Sequence, residues 1–502
     1  MNKKTVKKFF SASWFILLLI VVFFLRIPSL FEPFAYADEG IYLTLGQAFK
    51  KGLVLYREIH DNKPPLIYIL GGISGSFFIY RLMFFFWSFA TIILFYKLTK
   101  RIFNQKSCWL TILPNIIFAI LISLPMFEGN IANAENFMLF PIIGGFYLVF
   151  NSIGKNKTNK ISLLIWLLSG ILFSFAFLFK VPALFDFLVL VALGIILITK
   201  KNLKATFLNI TSASLGFFLP ILVTIIYFAQ RNALGDYLKS ALLQNLPYLS
   251  SWTGAAPTTS GLPTLIISRF LIVAIITLAV YVLKDKISLT TKFIVLWFAF
   301  SLFAALLSSR PYPHYLIQAI PALSLSFAFL FYQKNKKWLK IVPVIFLITG
   351  GLAFWGFKFW YYDNVPYFNN FYKYILGQKT KEDYFKYFGQ QTEDIYQTAE
   401  FIRNHTDKKE KFFIWGTQPS IYSLSKRLPI GKYTVSYHII DFNGHEETIL
   451  SLSQNPPRWI VVTGDEKRSF EELETILDYD YTLYKVIGKN KIFYHIPKIS
   501  RL

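Results

Sequence analysis

Between Tyr36 and Leu66 the chain reads YADEGIYLTLGQAFKKGLVLYREIHDNKPPL, directly after a long apolar stretch. Four acids, Asp38, Glu39, Glu58 and Asp61, share this short segment with Lys63, which is followed by Pro64 and Pro65. Two prolines stiffen the chain after Lys63 and suit the start of a helix, so the lysine is held at that helix's entrance. A carboxylate near a restrained cation can take a proton from an acceptor while the cation receives a departing phosphate. A sugar carried on a lipid phosphate already has such a leaving group. Further cations, Lys180, Arg269 and Arg310, also stand close to the ends of apolar runs. Charges there are costly unless paired or employed. Snorkelling, or pairing with Glu128, Glu135 or Asp186, is the plain reading for each; together they suit an anion at the lipid–water boundary.

The surrounding composition is that of a membrane protein. Of 502 residues, 54% are hydrophobic and 16% are charged, with a mean hydropathy of +0.46. Soluble domains carry about 25% charged residues. Apolar runs long enough to cross roughly 30 Å of hydrocarbon recur along the chain. The net charge of +24 does not point to nucleic acid, because it sits in short loops between those runs: Lys97, Lys100, Arg101 and Lys106; Lys155, Lys157 and Lys160; Lys200, Lys201 and Lys204; Lys284 and Lys286; Lys334, Lys336, Lys337 and Lys340. The alternate loop Met126–Asn133 contains none. This alternation predicts a cytoplasmic N-terminus, with anionic lipid as partner of the basic loops. The single cysteine, Cys108, excludes a disulfide framework and any multi-thiolate metal site.

Eleven spans are expected, near 10–30, 79–98, 108–125, 136–152, 161–178, 182–199, 205–229, 267–283, 291–308, 314–333 and 340–359. Ala35-Tyr36-Ala37 imitates a secretory cleavage site, but the Pro-interrupted spacer before it argues against cleavage. The expected fold is a polytopic α-helical membrane domain over 1–360 with an outer loop at 31–78. Residues 361–502 then form an outward-facing α/β domain, with strands at 411–416, 458–464 and 491–496 and helices around 382–404 and 468–478. In the loop, Ile41, Tyr42, Leu45, Ala48 and Phe49 recur at helical spacing, predicting an amphipathic helix on the membrane surface with Asp38 near its start. Plain capping is the structural alternative for Asp38. No Walker loop or dinucleotide fingerprint is present.

DEGIYLTLGQAFKKG followed by HDNKPPLIYIL resembles the first outer loop of GT-C-fold glycosyltransferases, which include protein O-mannosyltransferases and the bacterial aminoarabinose transferase of lipid A. SSRPYPHYLIQAIPALSL (308–325) and FFIWGTQPSIYSLSKRLP (412–429) resemble elements of the bacterial branch. The resemblance implies Asp38 as general base with Glu39 beside it, Lys63 on the carrier phosphate, and Arg310 as a second cation. It also places Asp61, Glu135, His314 and Tyr315 around the donor or acceptor pocket. The aminoarabinose pattern has an acid immediately before the KPPL lysine; here that position is Asn62 and Asp61 is one earlier. A divalent metal is therefore left open, since Asp61 and His314 supply too few ligands for a closed site. The remaining histidines, His60, His405, His438, His445 and His495, read as boundary, surface or packing residues. The implied activity is an inverting transfer of sugar from polyprenyl phosphate to a lipid, glycan or protein at the outer face of the plasma membrane. The alternative is a transporter or flippase of lipid-linked sugars, which would bind near the bilayer centre.

Overall fold

The computed structural model describes residues 3–103, 108–152, 160–199, 203–244, 262–308, 310–331 and 337–496. Lysines 106, 155, 157, 200, 201, 334 and 336, part of the loop-charge pattern, lie outside the described residues, as do residues 245–261. The chain is mainly helical, and each of the eleven apolar runs falls on a helical stretch, with boundaries shifted by several residues. A helix satisfies its backbone internally, which hydrocarbon demands. Six described helices are long and apolar enough to cross a membrane: Ser13–Leu30, Phe77–Phe103, Lys160–Phe179, Leu203–Gln230, Pro313–Phe331 and Lys337–Gly356. Shorter apolar helices cover Trp109–Leu121, Val181–Ile196, Ile266–Val282 and Leu289–Ala305.

Two compact units are present. The first comprises Met1–Ser29, Phe84–Tyr227 and Gln244–Asn364. Its helices pack through aromatic rings, with Phe146 4.6 Å from Trp297 and 4.9 Å from both Phe173 and Phe293. Asp186 is fully buried and accepts from Trp297 Nε1 at 2.7 Å and Gln318 Nε2 at 2.6 Å. Neutral donors rather than an arginine or lysine thus hold this acid. They tie the 3-10 segment Pro313–Ala319 to its neighbours.

The second unit comprises Leu30–Met83, Phe228–Leu243 and Val365–Leu502, so the 31–78 loop is grouped mainly with the C-terminal region. Its sheet runs β2-β1-β3-β5-β4, from β1 (Lys411–Trp415), β2 (Leu428–Pro429), β3 (Trp459–Val462), β4 (Tyr481–Ile487) and β5 (Asn490–His495). β1 pairs in parallel with β2 and β3, while β5 pairs antiparallel with β3 and β4. Successive strand residues point to opposite faces: Phe412 and Ile414 join one apolar cluster, Phe413 and Trp415 another. At β1 and β3 the sheet is therefore covered on both faces, which explains why these strands read as continuous apolar runs. β1, β3 and β5 match the expected strands. β2 is too short to show a period, and β4 is exposed over its five central residues.

Candidate active site

Asp38 lies in the first turn of the helix Ala37–Lys50. Tyr36 is the N-cap and no side chain caps the helix, so capping does not account for the acid. Its Oδ2 instead accepts the Tyr42 hydroxyl one turn later at 3.0 Å and stands 3.7 Å from Lys63 Nζ. The ammonium is also 3.9 Å from Asp61 Oδ2 and 5.1 Å from the Tyr42 ring centroid. One lysine is thus shared between two carboxylates over an aromatic face. The Lys63 and Asp38 side chains keep 17% and 24% of their surface exposed, whereas Asp61 keeps 1%.

Asp61 is held from several directions. Tyr68 donates its hydroxyl to Oδ2 at 2.7 Å, and the Asn62 N–H donates to Oδ1 at 2.8 Å. Tyr68 in turn accepts the Lys63 N–H at 3.1 Å, and the Lys63 carbonyl accepts the Tyr56 hydroxyl at 2.8 Å. Burial pushes the Asp61 carboxyl up, but Lys63, His438 and these hydrogen bonds outweigh it and hold the group below the usual carboxylate range. Burial, helped by Asp38 and Asp61 respectively, keeps Tyr42 and Tyr68 well above the usual phenol range, so both remain donors.

Glycine sets this geometry. The helix Leu66–Ser74 starts right after Pro65 and crosses Ala37–Lys50 at Gly46, Gly71 and Gly72. A Cβ on Gly46 would run into the Gly71–Gly72 backbone, and one on Gly71 into the Tyr42 carbonyl. On its other side the helix meets Ser420–Ser425: Gly40 lies against Ser420, and Gln47 Nε2 donates to the Ser423 carbonyl at 3.1 Å. Nine of its fourteen residues are buried. The segment expected to be amphipathic is therefore packed on two sides, because its glycines admit backbone where a side-chain face would stand.

Glu39, expected beside Asp38 as a catalytic acid, has no exposed surface. Its Oε2 accepts from Arg81 Nη2 at 2.6 Å and Nε at 2.9 Å, and the same guanidinium reaches the carbonyls of Glu32 and Pro33. This planar fork anchors the loop entry.

The first unit holds a separate cluster of acids. Glu128, with a left-handed φ of 54°, contacts His314 Nδ1 directly. His314 Nε2 is 3.4 Å from Glu135 Oε1, and Glu135 contacts Lys180 directly. Lys180 Nζ lies 3.8 Å above the Tyr315 ring centroid. Side-chain amides brace the unusual turn, since Asn136 Nδ2 donates to the Glu128 and Ile131 carbonyls at 3.0 and 2.9 Å. Buried Arg26 reaches the Ile122 and Gly129 carbonyls at 2.6 and 3.1 Å. Arg310 is 8% exposed, and its backbone N–H donates to the hydroxyl of Ser308, two residues earlier, at 3.4 Å.

Asp61 and His314, paired as candidate ligands in the sequence, thus have their own partners: His438 for the first, Glu128 and Glu135 for the second. Among the described residues no three His, Cys, Asp or Glu side chains are grouped to hold a metal ion.

Sequence reasoning placed His438 among packing residues. In the fold its Nε2 is 3.5 Å from Asp61 Oδ1. Nothing in SYHIID signals this, since the partner is hundreds of residues away.

No family model and no curated protein matches this sequence. Solved structures do. ArnT from Cupriavidus metallidurans bound to undecaprenyl phosphate has a TM-score of 0.58 at 11% identity, covering 97% of this chain and 98% of that one. The apo state of the same protein scores 0.56 at 11% identity, over 96% and 98%. Archaeal oligosaccharyltransferase AglB from Archaeoglobus fulgidus, in complex with an inhibitory peptide and a dolichol-phosphate, scores 0.50 at 12% identity, over 91% of this chain and 70% of that one.

Proposed function

From a fold shared with GT-C glycosyltransferases, we propose that this protein is an inverting glycosyltransferase. It takes a sugar from polyprenyl phosphate and gives it to a lipid, glycan or protein acceptor at the outer membrane face. One observation carries the reading: Lys63 Nζ, partly exposed, is shared at 3.7 and 3.9 Å between Asp38 and Asp61. Such long pairs are readily exchanged for a phosphate oxygen, which offers the ammonium a closer, charge-assisted contact.

In the reaction, the acceptor hydroxyl attacks the anomeric carbon, the carbon–oxygen bond to phosphate breaks, and the acceptor proton passes to Asp38. Polyprenyl phosphate leaves with its charge on Lys63. A single displacement inverts the anomeric centre. Phosphate arriving at Lys63 draws the ammonium away from Asp38, so donor binding itself frees the base. Asp61 holds the lysine from behind, and Glu39 fixes the helix through Arg81. By the family resemblance Arg310 serves as a second cation for phosphate, while Glu135 and His314 pair within the first unit rather than react. The C-terminal region faces outward in this reading, and protease added to intact cells should remove it.

The experiment is incubation of purified protein with labelled polyprenyl-phosphate sugars, scoring transferred sugar and released polyprenyl phosphate. Absence of release with every donor and acceptor class, from protein that retains polyprenyl phosphate, would favour transport instead.

A further inference from the structure

Three stretches of the second unit converge on His60. Its backbone N–H donates to the Lys432 carbonyl at 2.8 Å, and its Nδ1 is 3.3 Å from Ser240 Oγ. Its ring stands edge-on to Phe442 at 4.7 Å, Tyr433 at 5.3 Å and His438 at 5.8 Å. His438 belongs to the short helix Ser436–Asp441, whose first N–H donates to the Gly416 carbonyl just past β1 at 2.9 Å. The sheet therefore fixes where this imidazole lies.

Both imidazoles are buried, and burial lowers the proton affinity of each, bringing His60 to about 3. At neutral pH both are uncharged, so each ring has one donating and one accepting nitrogen. His438 Nδ1 finds no hydrogen-bond partner among the described residues. An unsatisfied buried nitrogen is unfavourable, whereas the opposite nitrogen, Nε2, faces the Asp61 carboxylate at 3.5 Å. With Nδ1 as acceptor, Nε2 carries the proton toward the acid. Packing alone would be served as well by an apolar ring of similar size.

We propose that His438 is a positioning residue for the carrier-phosphate site: its Nε2 edge shares the Asp61 carboxylate with Lys63, so the ammonium is held near the opening without being locked into a closed pair. A fully buried carboxylate must be satisfied by donors. Without the imidazole, more of that demand falls on Lys63, which is drawn toward Asp61 and away from an incoming phosphate. The region following the apolar helices thereby completes the donor site. This inference rests on the role given to Lys63 above.

The test uses full-length purified protein carrying His438→Leu, His438→Asn or His438→Gln. The readouts are KM for the polyprenyl-phosphate sugar, kcat, retention of polyprenyl phosphate, and thermal stability. The Gln amide nitrogen reaches about as far as Nε2, whereas the Asn amide stops near Nδ1. Leu and Asn should raise donor KM about tenfold with kcat nearly unchanged, the order expected for one polar contact to a charged group, and Gln should restore most of it. Unchanged KM in His438→Leu overturns the proposal. So does an equal defect in all three variants with matching loss of stability, which is the signature of packing. Lys63→Ala serves as the control: if it loses the carrier while His438→Leu does not, this inference alone fails. If Lys63→Ala keeps the carrier, the phosphate reading beneath it fails.

Discussion

Lys63 and Lys180 have nearly the same neighbours and very different geometry. Each is a lysine with carboxylates, an imidazole close to those carboxylates, and a tyrosine ring under the ammonium. Around Lys63 the ion pairs are 3.7 and 3.9 Å long, and Asp38 is open to solvent over a quarter of its surface. Around Lys180 the ammonium touches Glu135, which is 2% exposed, and the chain of contacts continues through His314 to a fully buried Glu128. The first arrangement can exchange a partner. The second has already spent its charges on one another. Residue inventory alone does not separate the two clusters, and neither does the exposure of the lysines, 17% and 16%; the pair distances and the exposure of the acid do.

The sharpest way to break this contrast is Asp38→Asn, which keeps size but cannot take the acceptor proton. Turnover should fall about 10²–10⁴-fold, the usual cost of losing a general base, while thermal unfolding stays near wild type. Near-normal transfer would move the base elsewhere, with Asp61 the next candidate.

Glu135→Ala should behave in the opposite way. Removing the buried member of this ion pair costs up to about 3–5 kcal/mol of stability, read as a drop in unfolding temperature in detergent. If instead stability holds and only acceptor KM changes, this cluster binds substrate and the comparison collapses.

Lys63→Ala removes a charge-assisted contact worth about 1.5–3 kcal/mol. Retention of polyprenyl phosphate by the purified variant should fall accordingly, with turnover falling too because the contact strengthens as phosphate departs. Lys63→Arg should rescue partly, since a planar fork differs in reach from an ammonium. Arg310→Ala, measured in the same way, tests its assignment as the second cation.

Gly46→Ala sharpens the open side of the contrast without touching a charge. The added Cβ meets backbone at Gly71 and Gly72, so the two helices must part, at a cost of about 1–3 kcal/mol for overpacking. Activity should fall more than stability does, because Asp38 and Lys63 ride on the two sides of that crossing. The smallest effect is on pH. Asp61 has its proton affinity lowered in the fold, so its stabilising contribution is full above the ordinary carboxylate pKa near 4 and fades as pH falls through the lower folded value. Asp61→Asn should flatten that acid limb in unfolding measurements below about pH 4.

Much of this protein was legible in its sequence because the relevant physics is local. Apolar runs and basic loops gave the membrane-helix class, since a helix in lipid satisfies its own backbone whatever surrounds it. Asp38 and Lys63 could be picked out because a proline pair and an acid-rich turn stand within one loop. β1 and β3 could be placed because strands buried on both faces are written as short apolar runs. Tertiary structure alone decided the rest. It turned Glu39 toward Arg81, packed the expected surface helix between Leu66–Ser74 and Ser420–Ser425, and set His438 beside Asp61. Those outcomes depend on which backbones can approach closely and which buried charges find donors. Both are settled by packing between segments far apart in the chain, which no local pattern records.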